Sequence, residues 1–204
     1  MKVEIRNLCK SFGDKQVLQN VNLDFKDHGI YCLMAPSGMG KTTLLRIMMG
    51  LETYDSGTIT GIQKGSVGVM FQEDRLLDYL TPVENIALVC PKTTLRSTIE
   101  DSLAQILPTD SLRQPVSELS GGMKRRAALA RTMWYPSSLL LMDEPFTGLD
   151  EETKKTVINY LLGLRKGRTL IVSTHDPDDV GLLGAQVIRL DRESSPDTEG
   201  PACS

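Results

Sequence analysis

Residues 35–43 read Ala-Pro-Ser-Gly-Met-Gly-Lys-Thr-Thr. They lie between an apolar run at 30–34 and a helix-spaced apolar set, Leu44, Leu45, Ile47, Met48 and Leu51. Strand, glycine-rich turn, then helix is the context that a phosphate-binding loop needs. Backbone N–H groups from Ser37 through Gly38, Met39, Gly40, Lys41 and Thr42 to Thr43 can turn inward on a polyphosphate, and the helix N-terminus adds a dipole that favours anions. Lys41 is placed to reach the β- and γ-phosphates, and the Thr42 hydroxyl to ligate Mg²⁺. The pattern G-x-x-x-x-G-K-[ST] is met everywhere except its first position, where Ala35 stands. A methyl group there costs about 1 kcal/mol if the residue needs a positive φ, and is harmless otherwise.

A second pattern lies downstream. Ser138-Leu-Leu-Leu-Met-Asp-Glu-Pro145 carries four consecutive apolar residues, the signature of a strand buried on both faces, and ends in two carboxylates. Asp143 at that end can hold Mg²⁺, and Glu144 can orient an attacking water or accept its proton. Adjacent acids at a dry strand end are costly unless a cation or water balances them. Residues 169–173 read as another buried strand, and His175 follows two residues later, where a sensor of the γ-phosphate would sit. Residues 66–72 form a buried-strand pattern ending in Gln72. Its amide can reach a bound metal or water, although a plain surface glutamine is the blander reading.

Other stretches fill in the frame. Residues 2–8 and 17–25 alternate as strands, and two antiparallel strands ahead of a parallel-type strand suggest mixed sheet. Phe12, in the turn between them, is core on its own evidence or a platform for a base. Ser120 is a natural N-cap for a helix whose first residues, Gly121 and Gly122, leave backbone N–H groups uncovered as a second, smaller anion site. Lys124, Arg125 and Arg126 read as a solvated face of that helix. Asp150 caps a helix over 151–164. Within about 73–118, Thr81, Pro82 and Glu84 mark a helix start. Leu95, Ile99, Leu103, Ile106 and Leu107 then give a helical stripe, so this segment is expected to be an inserted helical lobe facing a partner. The polar stretch 191–204 is expected to be disordered.

The bulk numbers exclude several alternatives. A net charge of −3 gives no general attraction to nucleic acid. No apolar run approaches the ~20 residues needed to cross a bilayer. The cysteines, Cys9, Cys32, Cys90 and Cys203, form no C-x-x-C pair and carry no metal pattern.

In order, the phosphate loop, Gln72, Leu119-Ser-Gly-Gly122, Asp143-Glu144, Asp150 and His175 resemble the ATP-binding cassette (ABC) ATPases over residues 1–190. The resemblance implies an α/β fold: a P-loop NTPase core of mixed, mainly parallel sheet with flanking helices, an N-terminal antiparallel β subdomain and a small helical lobe. It implies that Phe12 stacks on adenine, that Gln72 senses Mg²⁺ and the transport partner, and that His175 is the switch histidine. Ser120 and Gly122 would close on ATP held by a second subunit, and Asp150 would communicate across that dimer. ATP and Mg²⁺ are the implied cofactors. The implied partners are a transmembrane permease, a second ATP-binding subunit and a solute-binding protein, with the chain cytoplasmic and peripheral on the inner face of the membrane. Residues 75–86 look like importer-type members for nitrate, sulfonate and taurine-like solutes. Met123 stands where the signature usually has Gln, and Thr147-Gly148 where Ser-Ala is commoner. The competing expectations are a soluble non-transport cassette ATPase and a low-turnover regulatory cassette.

Overall fold

A computed structural model describes residues 2–36 and 38–190. The expected tail at 191–204 lies outside the described residues. Two sheets divide the strands. β1 (Val3–Phe12) pairs antiparallel with β2 (Lys15–Phe25) on one side and β4 (Ser56–Thr60) on the other. The second sheet is parallel in every pairing, with the spatial order β5 (Val67–Met70), β6 (Leu139–Asp143), β7 (Thr169–Ser173), β3 (Ile30–Met34), β8 (Gln186–Arg189). Parallel and antiparallel pairing are therefore segregated, and the N-terminal strands make a sheet of their own.

All five residues of β6 and all five of β7 are buried. The pleat sends alternate side chains to opposite faces. Leu140, Met142, Leu170 and Val172 face one core with Leu129, Val157 and Leu161, which belong to α4 (Gly121–Trp134) and α5 (Glu151–Arg165). Leu139, Leu141 and Ile171 face the other, with Leu44, Leu45 and Met48 of α1 (Lys41–Met48) and with Ile5, Leu8 and Phe25 of the antiparallel sheet. Truncating any of these core leucines to Ala costs ~2–5 kcal/mol. The sheet is thus a wall with a core on each side, and its C-terminal edge is fixed to within a residue by register: Asp143 pairs with Ser173, and Ser173 with Leu33.

Between β5 and α4 the regular structure is all helical: α2 (Pro82–Ala87), α3 (Arg96–Leu103) and two short 3₁₀ turns, Thr109–Arg113 and Val116–Glu118. Thr81 caps α2 in a full capping box with Glu84. Ile99, Leu103, Ile106 and Leu107 are buried against α4, whereas Leu95 is the N-cap of α3 and is 69% exposed. Leu95 therefore does not belong to the stripe, because the helix starts only after it. Ser102 Oγ and the Tyr160 hydroxyl are 2.9 Å apart, and the Trp134 indole N–H donates to Ser102 at 3.3 Å, joining α3, α4 and α5 through a buried polar knot. Among the described residues, no helix is long and apolar enough to cross a membrane.

Candidate functional site

β3 delivers the chain to the phosphate loop, and the loop's shape depends on its glycines. Gly38 and Gly40 have φ of 81° and 88°. A Cβ on Gly40 would lie 2.7 Å from Leu18 Cδ2 and 3.0 Å from the Val17 carbonyl, so β2 presses directly against the turn. Ala35 is not among the residues of positive φ, and it packs against the core on the α1 side of the sheet. Its methyl group is therefore unstrained where the pattern has glycine. Ser37 lies outside the described residues. Gly40 is also the N-cap of α1, and among the described residues no side chain caps that helix. Its first-turn N–H groups are left for something else to satisfy. The Lys41 ammonium lies over the loop and donates to the carbonyls of Ala35 and Pro36.

The two carboxylates have opposite settings. Asp143 is 5% exposed, and its Oδ1 accepts the Ser173 hydroxyl from the neighbouring strand. Glu144 begins the turn after β6 at φ +51°, a conformation that a non-glycine residue holds only when its surroundings over-determine it. The backbone N–H of Glu144 supplies part of that constraint. It donates to the carbonyl of Ser173 at 3.1 Å and to its hydroxyl at 3.0 Å. Its Oε2 accepts from the Thr147 hydroxyl at 3.2 Å and lies 2.8 Å from His175 Nδ1.

A cleft of about 400 Å³ gathers Gly38, Gly40, Lys41, Thr42 and Thr43 with Gln72, Asp143 and Glu144. Phe12 stands at its rim, 48% exposed, with the Lys10 ammonium 4.7 Å from the ring centroid. Phe12 is thus a surface aromatic facing a cleft and no core residue. His175 joins the cleft through Glu144 and lines an adjoining hollow of about 190 Å³ with Thr147 and Gly148. Met39 faces away from the cleft, toward β2 and Arg189.

Ser120, Gly121, Gly122 and Asp150 line neither hollow. Ser120 caps α4 by accepting from Met123 N–H at 3.3 Å, and Asp150 caps α5 by accepting from Thr153 N–H at 2.9 Å. That bond, with another from the Thr153 hydroxyl, holds the Asp150 carboxyl below its usual range.

One residue escaped the sequence reading. Arg125 is 6% exposed, and its guanidinium donates to the carbonyls of Phe71, Gln72, Asp143, Glu144 and Pro145 and to the carboxylate of Asp74. It is not part of a solvated face. The signal was spacing: Ala128, Leu129 and Thr132 stand three, four and seven residues on, and all are buried.

Comparison with known proteins agrees with this geometry. Residues 18–147 match the family model described as ABC transporter. An aliphatic sulfonates import ATP-binding protein from Delftia acidovorans is 36% identical over 92% of this chain and 79% of its own length. A sulfate/thiosulfate import ATP-binding protein from Pectobacterium atrosepticum is 34% identical over 94% of this chain, which spans 64% of that relative. A spermidine/putrescine import ATP-binding protein from Marinobacter nauticus is 33% identical over 92% of this chain, which spans 55% of it. Among solved structures, a dimeric ATP-binding cassette in a post-hydrolysis state bound to ADP and Pi is 26% identical. It aligns with a TM-score of 0.79 over 92% of this chain and 93% of that one. The chain belongs to the ABC transporter family, among its ATP-binding subunits.

Proposed function

We propose that this chain binds and hydrolyses ATP as a subunit of a membrane importer, working with a second ATP-binding subunit and a separate permease. The observation that carries this reading is the cleft itself. It brings an uncapped helix N-terminus and Lys41 to the same space as Gln72, Asp143 and Glu144. The loop N–H groups and Lys41 bind and orient the triphosphate, and Phe12 offers its exposed ring to the base. Thr42, Gln72 and Asp143 supply the hydroxyl, amide and carboxylate oxygens that suit Mg²⁺, a hard cation. When bound, Mg²⁺ withdraws charge from the phosphate oxygens. Glu144 positions the attacking water and takes up its proton. His175, 2.8 Å from Glu144 Oε2, restrains that carboxylate.

Ser120, Gly121, Gly122 and Asp150 act on the nucleotide of a second copy or a homologous subunit. Their separation from the cleft within one chain supports this reading. The names of the relatives, import ATP-binding proteins, support import; the proposal adds a solute-binding protein in the same system and a place on the inner face of the membrane, held there by the permease. Glu144→Gln tests the chemistry: turnover is expected to fall by about 10²–10⁴-fold while ATP binding persists. Equal, negligible hydrolysis by wild type and variant would instead favour the low-turnover regulatory cassette. Wild-type turnover together with repeated failure to co-purify a membrane protein would favour the soluble ATPase.

A further inference from the structure

We infer that Arg125 is a positioning residue that sets Gln72 and Glu144 in register with each other and ties both to the helix that begins at Ser120. This rests on the ATPase reading above and adds a residue that the reading does not require. Three pieces of the chain meet at one planar group. Nη1 donates to the carbonyls of Phe71 and Gln72, at 3.0 and 2.8 Å, and to Asp74 Oδ1 at 3.1 Å. Nη2 donates to the carbonyl of Asp143 at 3.1 Å and to that of Glu144, and Nε donates to that of Pro145 at 3.2 Å. The first group of acceptors follows β5, and the second runs from the last residue of β6 into the turn after it. The guanidinium itself rides on α4, just past the Ser120 cap.

The arrangement is specific to a fork. A guanidinium is rigid and presents donors along separate edges, so it can span two backbone segments at a fixed distance. A lysine ammonium is a single point and can serve one segment or the other. Burial strengthens the constraint, because unsatisfied carbonyls left behind at this depth are costly and the loops would rearrange to find partners. Asp74, on the same segment as Gln72, supplies the counter-charge that a buried cation needs. Gln72 and Glu144 both line the cleft, yet no hydrogen bond between their side chains is observed among the described residues. Their relative placement is carried by backbone, and Arg125 is the side chain that bonds both backbones.

The test measures steady-state ATPase kinetics and, separately, the affinity for a fluorescent ATP analogue in wild type, Arg125→Met, Arg125→Lys, Gln72→Ala and the Gln72→Ala/Arg125→Lys double variant. Thermal unfolding runs alongside, so that assays are made well below each midpoint. Removing the fork is expected to lower kcat by about tenfold or more while nucleotide affinity changes by less than about twofold, because the phosphate loop is untouched. Arg125→Lys is expected to resemble Arg125→Met, and it stands in if the latter does not fold. The double variant is expected to lose less than the product of the single losses, as residues acting through one another do. Unchanged kcat in Arg125→Lys, or losses that multiply independently with Gln72→Ala, would overturn the assignment while leaving the ATPase reading intact. Absence of hydrolysis by the wild type would remove the ATPase reading first, and this inference with it.

Discussion

α1 and α4 both begin with backbone N–H groups and small residues, yet their starts are built differently. α1 opens on Gly40, with no side chain among the described residues capping its end, and Lys41 lies above the loop. α4 opens on Ser120, which already satisfies one of its own N–H groups. The uncapped start faces a cleft with two acids across it, and the capped start faces none of those residues. A helix end left open inside a cleft is an anion site waiting on a ligand. One capped at the surface is stable without one and can lend its remaining donors to a neighbour. Under the function proposed above, the pair would serve as two half-sites: one assembled within this chain, the other completing a site across an interface, as closed symmetric dimers allow.

The contrast can be broken most directly at Lys41. Lys41→Ala should weaken ATP binding by the isolated chain about 10–100-fold, the range for losing a hydrogen bond to a charged group, as read by equilibrium binding. Ser120→Ala should behave differently. It should destabilise the fold by about 1 kcal/mol through the lost cap and lower turnover of the dimer, yet leave ATP affinity of the isolated chain within about twofold. If Ser120→Ala weakens that affinity as Lys41→Ala does, the two helix starts belong to one site and the contrast fails. Ala35→Gly sharpens the contrast from the loop side. Because Ala35 needs no positive φ, glycine should cost about 0.4–1 kcal/mol in denaturant unfolding, by freeing the unfolded chain, and should gain nothing in ATP binding.

The smallest effect lies at Asp150. Its carboxyl is held below the usual range by the Thr153 backbone N–H and then by the Thr153 hydroxyl. A depressed carboxyl contributes stability that is complete above its unfolded value near 3.8 and is lost as pH falls through the lower folded value. Asp150→Asn should flatten the stability profile in that acid window, losing a small stabilisation at neutral pH and none below the folded value, as followed by thermal melts from pH 7 down into the acid range.

Much of the site was legible because its chemistry is local. A lysine after a glycine turn, and two acids closing an apolar run, announce themselves within a few residues. What stayed hidden was decided by neighbours distant in sequence. Ala35 could be judged only from its backbone angle. Arg125 sits in a row of three cations, and only its burial beneath residues 71–74 and 143–145 separates it from Lys124. The segregation of the strands into two sheets depends on which distant strand β1 meets, and that partner proved to be β4. Phe12 illustrates a reversal: an aromatic is ordinarily core, but its ring lies at the cleft rim.

The close contact of Gly40 with Leu18 and Val17 makes the outer sheet a gauge block for the nucleotide loop. Enlarging a side chain at position 18 would thicken that block and tilt the turn resting on it, although position 18 need never touch a ligand. Substitutions in this layer are therefore expected to reach the cleft by mechanical displacement of the turn, without any contact to what the cleft holds.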